Sequence, residues 1–96
     1  MVICEVSIAP FGVGTSLSKY VKEAVKVLKA SGLKIKVGGM STTIEAPDLD
    51  TIFKVIKEAE EAEFTAGAAR VLINIKIDDR RDKRASIESK IQAVDG

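Results

Sequence analysis

The chain opens on strict alternation. Val2, Cys4, Val6 and Ile8 fall on one side of an extended segment, with Ile3, Glu5 and Ser7 on the other. A two-residue period over Val2 to Ala9 predicts a strand with one buried face. Pro10, Gly12 and Gly14 break it, and Thr15 or Ser16 is placed to cap the next element. The period then changes. From Leu17 to Ala30, Leu17, Tyr20, Val21, Ala24, Val25 and Leu28 make one apolar stripe at helical spacing, opposite a row of Lys19, Lys22, Lys26 and Lys29. Gly32 supplies a left-handed stop. Ile35 and Val37 then point to one side and Lys34 and Lys36 to the other. Gly38-Gly39 marks a turn or bulge, and Ser41 to Ala46 is rich in β-branched residues, so this stretch predicts a hairpin.

Pro47-Asp48 opens a second helix, with Asp48 as the N-cap. Its stripe is Leu49, Ile52, Phe53, Ile56 and Ala59. Glu60 and Glu63 fall on the same apolar side of the wheel, close to a C-terminus where the helix dipole disfavours carboxylates. The expectation is that the last turn overhangs the sheet into water. Alternation returns from Arg70 to Ile77, with Val71, Ile73, Ile75 and Ile77 inward and Leu72, Asn74 and Lys76 outward. A charged run, Asp78 to Arg84, leads to a last helix whose stripe of Ile87, Ile91 and Val94 is one residue wide.

Strand, helix, strand, strand, helix, strand is the split βαβ order. Right-handed crossovers place both long helices on one face of a four-stranded antiparallel sheet. The expected fold is therefore a ferredoxin-like α+β two-layer sandwich (βαββαβ) with an extra C-terminal helix, in one domain spanning residues 1–96. By alternation the other sheet face displays Glu5, Ser7, Lys36, Thr43, Glu45, Asn74 and Lys76, with Ile3 and Leu72 toward its edge. Antiparallel sheets tolerate a solvated face; the alternative is a surface where subunits pack and a polar ligand lodges. Ile87, Ile91 and Val94 need cover, and a neighbouring subunit is favoured over this chain's own open sheet.

Composition narrows the function classes. At 46% hydrophobic and 30% charged residues the chain is globular in character. A formal net charge of +1 gives no support to general nucleic-acid or membrane affinity. Histidine is absent and Cys4 is the sole cysteine, which removes the commonest general base, the commonest transition-metal ligand, internal disulfides and thiolate metal sites. No apolar run approaches membrane-spanning length and no leader is evident, so a cytoplasmic location is the default.

Local motifs add little. Phe11 to Ser16 lies between a strand and a helix, yet lacks the Gly-Lys-Ser/Thr ending of a P-loop and the glycine spacing of a dinucleotide fingerprint; glycines in a tight turn explain it better. The Asp78 to Arg84 run suits a solvated connection or subunit contact, and it lacks calcium-loop spacing. The lysine row on the first helix has no adjacent aromatics and is the wet face of an amphipathic helix. Other proteins of this topology use chemistry that is missing: Val2-Ile8 and Ser41-Ala46 hold no base-stacking aromatics, there are no paired cysteines, and the first arginine is Arg70, far beyond the first strand.

Several segments, in order, resemble the small thiamine-binding proteins of ferredoxin-like fold. They are Ile8-Ala9-Pro10-Phe11-Gly12, Thr15 to Val21, Gly39 to Ala46, Arg70-Val71 and Lys76 to Asp82, spread along nearly the whole chain. Two departures stand out: Glu60 where many members carry histidine, and Asn74 where many carry a hydroxyl residue. The resemblance implies a cytoplasmic homo-oligomer, commonly a homotetramer, that binds thiamine or its hydroxymethylpyrimidine moiety without converting it and needs no cofactor. An aminopyrimidine offers a donor and ring acceptors that a carboxylate, hydroxyls and an amide can meet. The expected ligand contacts are Ser7, Thr42, Thr43, Glu45 and Asn74, with Glu5 or Phe11 near a thiazolium cation. Strict alternation opposes Thr42 to Thr43 and Glu45, so including both threonines assumes a bulge near Gly38-Gly39 or a site at the sheet edge. Two other readings stay open: a structural or regulatory oligomer without a ligand, and an enzyme of the dimeric α/β-barrel type, which without histidine would use Glu45 or Tyr20 as its acid-base group.

Overall fold

A computed structural model describes residues 1–95. The elements run β1 (Val2–Pro10), α1 (Ser18–Ala30), β2 (Lys34–Val37), β3 (Thr42–Ala46), α2 (Leu49–Thr65), β4 (Val71–Asp79) and α3 (Ile87–Asp95). The four strands form one antiparallel sheet in the order β2-β3-β1-β4. This is the ferredoxin-like α+β arrangement with an additional C-terminal helix.

The core lies between one sheet face and the two long helices. Val2, Cys4, Val6 and Ile8 from β1 and Ile44 and Ala46 from β3 meet Ala24 and Leu28 of α1 and Ile52, Val55, Ile56 and Ala59 of α2. Every one of these is nearly inaccessible to water, and burying each large aliphatic side chain stabilises the fold by about 1.5–3 kcal/mol. The α2 stripe differs from expectation at one place: Phe53 is half-exposed and Val55 takes its place inside. Both positions border the apolar arc, and the smaller side chain fits against the sheet.

Asp48 caps α2 as expected, its Oδ1 accepting from the Thr51 N–H at 2.8 Å and the Thr51 hydroxyl at 2.7 Å. Gly32 adopts φ +82° where α1 stops. Neither Thr15 nor Ser16 caps α1, because the helix begins at Ser18 with Leu17 at the cap position and no side-chain bond there.

Two expectations are overturned. The end of α2 does not overhang into water. Glu60 is half-buried, and Glu63 is completely buried, with neither carboxylate oxygen partnered among the described residues. The connection to β4 folds back against the helix end, with Ala66 N–H donating to the Ala62 carbonyl at 3.1 Å and Ala68 N–H to that of Glu63 at 3.1 Å. Gly67, at φ +115°, makes that reversal. The second is overturned only in part: the start of α3 docks on this chain's own open sheet face, while Ile91 and Val94 stay exposed. Ile87 and Ala85 pack on Ile3 in a small apolar cluster separate from the main core.

Candidate functional site

The strand register fixes what the open face presents. Cross-strand neighbours line up as Lys34, Glu45, Ile3 and Asp78 in one transverse row, and Lys36, Thr43, Glu5 and Lys76 in the next. Ser7 and Asn74 pair in a third row, followed by Ala9 and Leu72. Neighbouring rows on one face lie roughly 7 Å apart, two residues along each strand.

The first row anchors α3. Glu45 Oε1 accepts the Ile87 backbone N–H at 2.8 Å. A carboxylate here satisfies an otherwise unpaired amide and complements the positive end of the helix dipole. Lys34 pairs with Glu88 and Lys90 with Asp78. The Lys34 hydrogen bond holds the Glu88 carboxyl below its ordinary range, and Lys90 does the same to Asp78. Beyond Ile87 the apolar stripe is less well covered: Ile91 is 38% exposed and Val94 88% exposed.

Between α3 and the sheet lies a recess of about 770 Å³, lined on the sheet side chiefly by Glu5, Lys36, Thr43 and Lys76. Its roof is Ile87, Lys90, Ile91 and Val94. That volume suits a small organic molecule. A smaller cleft of about 390 Å³ adjoins it, lined by Glu5, Ser7, Met40, Ser41, Asn74, Ile75 and Lys76. Glu5, Ser41 and Lys76 belong to both. The combination of a carboxylate, hydroxyls, an amide and cations beside an apolar roof can hydrogen-bond and stack on a polar heteroaromatic ring.

The expected ligand residues are thus only partly assembled. Thr43 lies in the larger recess, Ser7 and Asn74 in the adjoining cleft. Glu45 sits under the start of α3, outside both. Thr42 does not join them: it is buried on the helix-facing side, in register with Val6 and Val37. β3 pairs with both neighbours without a bulge from Thr42 onward, so alternation holds and separates the two threonines. Phe11 lies elsewhere, its ring covered by the Arg70 guanidinium at 4.4 Å. Lys36, Lys76 and Ser41 join the site beyond the expected contacts. Alternation alone puts the two lysines on this face; what the sequence leaves undecided is whether the Ile87, Ile91 and Val94 stripe turns to this sheet or to a neighbouring subunit.

The remaining titratable groups stand apart. Burial, reinforced by the charge of Glu5, pushes the Cys4 thiol up to about 11. Arg80 pairs with Asp82 at 2.6 Å and Arg81 with Asp79 at 3.1 Å on the surface. Among the described residues no group of three or more Cys, Asp or Glu side chains is arranged to hold a metal ion, and no helix is long and apolar enough to cross a membrane.

Comparison with known proteins supplies the context for this face. A family profile described as "Thiamine-binding protein" matches residues 4–95. A "UPF0045 protein" of Methanothermobacter thermautotrophicus is 41% identical, the match covering 98% of this chain and 96% of that protein. The crystal structure of a hypothetical protein from Methanocaldococcus jannaschii superposes with a TM-score of 0.89 at 45% identity, covering 97% of this chain and 94% of that one. A Thermotoga maritima structure, described in terms of thiamine biosynthesis or salvage, shares the fold with a TM-score of 0.81 at 23% identity over 96% of each chain. Matched by the family profile and by close relatives over almost its whole length, this chain belongs to the thiamine-binding protein family.

Proposed function

We propose that the protein binds thiamine or its hydroxymethylpyrimidine moiety without chemically converting it, as a cytoplasmic homo-oligomer, and that the site is the recess between the open sheet face and α3. The observation that carries this reading is the transverse row Lys36-Thr43-Glu5-Lys76 beneath an apolar roof, in a chain of this family. Glu5 is the carboxylate free to meet an exocyclic amine, since an oxygen of Glu45 already holds α3. Thr43, Ser7 and Asn74 complete the polar contacts.

Self-association to a tetramer is part of the same proposal. The outer edge of β4 carries nine residues of strand paired on one side only, the kind of edge that accepts another strand. Leu72, Ile75, Val37 and Val94 are exposed apolar side chains that assembly would cover. Calorimetric titration with thiamine and with hydroxymethylpyrimidine tests the ligand. Heat from at least one is expected; no heat from either, at concentrations far above the protein's, rejects the reading.

One observation favours a second reading, a ligand-free structural oligomer. The α3 helix already occupies part of the polar face and consumes a carboxylate oxygen of Glu45. That reading predicts an unchanged multimer and no ligand heat. Light scattering on a chain truncated before Ser86 shows whether α3 holds such an assembly together.

A further inference from the structure

We propose that α3 is a clamp that closes on the bound ligand, and that Lys34, Glu45, Ala85 and Glu88, none of which lines the recess, are positioning residues that set ligand affinity by holding α3 over it. This inference rests on the binding role proposed above and deepens it.

The attachments of α3 are few and all lie at its start. Ala85 and Ile87 pack on Ile3 in a cluster separate from the main core, and Glu45 accepts the Ile87 amide at 2.8 Å. The ion pairs Lys34–Glu88 and Lys90–Asp78 add to this from the two edge strands. Glu88 also feels Lys36, two residues further along β2. Beyond Lys90, no hydrogen bond or ion pair joins the helix to the sheet among the described residues. The helix is also capped from within. Ser89 N–H donates to the Ser86 hydroxyl at 3.0 Å, and Ser86 N–H to that of Ser89 at 2.8 Å. Its first turn is therefore satisfied without the sheet, so α3 can move as one unit. The pivot is the exposed segment Arg81 to Arg84, which precedes the buried Ala85.

What a ligand adds is cover for the far half of the helix. Ile91 and Val94 line the recess and are partly or largely exposed. A ring lying on Thr43 and Glu5 buries apolar surface of both, and that burial is gained only with α3 docked. Ligand binding and helix docking are then linked, each favouring the other by the same factor. The clasp itself is modest, because its ion-pair side chains are 40% to 60% exposed. The apolar contact of Ala85 and Ile87 with Ile3 carries the most weight. Ala85 is the telling position: it is buried in that contact, outside the main core and off the recess lining. A change there reaches the ligand only through α3.

The test combines residue-resolved hydrogen exchange with calorimetry on the full chain, using thiamine or hydroxymethylpyrimidine, whichever gives heat. At a ligand concentration about twenty times Kd, the amides of Lys90 to Val94 should exchange about tenfold or more slowly than in the free chain. Ala85→Asp sets a charge against Ile3; it should quicken exchange throughout α3, leave the core strands protected, and weaken the ligand by about tenfold or more. Glu88→Lys, an exposed site facing Lys34 and Lys36, should act the same way to a smaller degree, and adding Lys34→Glu should restore part of the loss. It keeps the test decisive where Ala85→Asp fails to fold. A ligand that binds with α3 exchange unchanged overturns the clamp. Affinity that holds in both variants while α3 exchange quickens overturns the positioning role, and exchange that neither variant quickens overturns the clasp. No heat from either compound with the unaltered chain removes the binding role itself and the clamp with it, a result distinct from the others.

Discussion

Glu63 offers a quantitative test of the packing. Its carboxyl is completely buried, both oxygens lack partners among the described residues, and it sits near the negative end of the α2 dipole. Burial raises its pKa from 4.5 to about 7. In the unfolded chain it ionises at its ordinary value, so between the two values the native state binds the extra proton and stability falls as pH rises. A shift of this size corresponds to about 3 kcal/mol, fully present below the unfolded value and lost once pH has passed the folded one. The window is clean. The chain has no histidine, and the acids whose pKa is lowered, Asp48, Asp78, Asp82 and Glu88, act in the opposite sense at lower pH. Denaturant unfolding at fixed protein concentration, from about pH 5 to about pH 8, should show the native chain losing a few kcal/mol. Glu63→Gln should be nearly flat across that range and more stable than the native chain at the alkaline end. Glu63→Met, which removes the unpartnered polar atoms, should be at least as stable as the glutamine variant. Equal slopes for the native chain and Glu63→Gln would refute the assignment of a buried, partnerless carboxyl.

Other consequences are read more briefly. Glu45→Ala removes the acceptor for the Ile87 amide, and hydrogen exchange of α3 should quicken by about fivefold while the core strands keep their protection, since one such cap contributes on the order of 1 kcal/mol. Asp48→Ala should lower stability by about 1 kcal/mol by the same physics at α2, measured by denaturant midpoint. Gly38→Ala meets the Ser41 carbonyl; it should cost about 1–3 kcal/mol and weaken ligand binding through the displaced hairpin. Cys4 is inaccessible and its thiol is raised to about 11, so a thiol reagent at neutral pH should label it only as fast as the chain opens.

Legibility in the sequence depends on how many residues vote for each feature. Seven or more alternating positions define β1 and β4, and the α1 and α2 stripes each draw on several turns, so the topology can be read. The open face is legible for the same reason: once Val6, Ile44 and Ile75 are assigned inward, Glu5, Thr43 and Lys76 have nowhere else to point. Where only one residue carries the signal, inference fails. Phe53 and Val55 flank the same arc of α2, and only three-dimensional fit decides between them. Glu63 looks like an error of patterning until the return loop through Gly67 and Ala68 closes over it.

The docking of α3 is the instructive case, because its cause is shared between segments far apart in sequence. Its stripe is too narrow to bury a full helix face, which suggests a neighbour. On the chain's own sheet only one apolar contact is needed, Ile87 on Ile3, because three charged or polar contacts supply the rest: Glu45 at the Ile87 amide, Lys34 at Glu88 and Asp78 at Lys90. Each partner comes from a different strand, β3, β2 and β4, and all lie in one transverse row with Ile3. No local pattern can reveal a row that exists only after four strands have paired. The same row explains why the recess forms where it does. With α3 pinned at its first turn and its far end left apolar and exposed, the adjoining row of Lys36, Thr43, Glu5 and Lys76 is roofed without being filled. A helix docked along its whole length would have spent those side chains on itself; one docked by a single turn leaves them for a ligand.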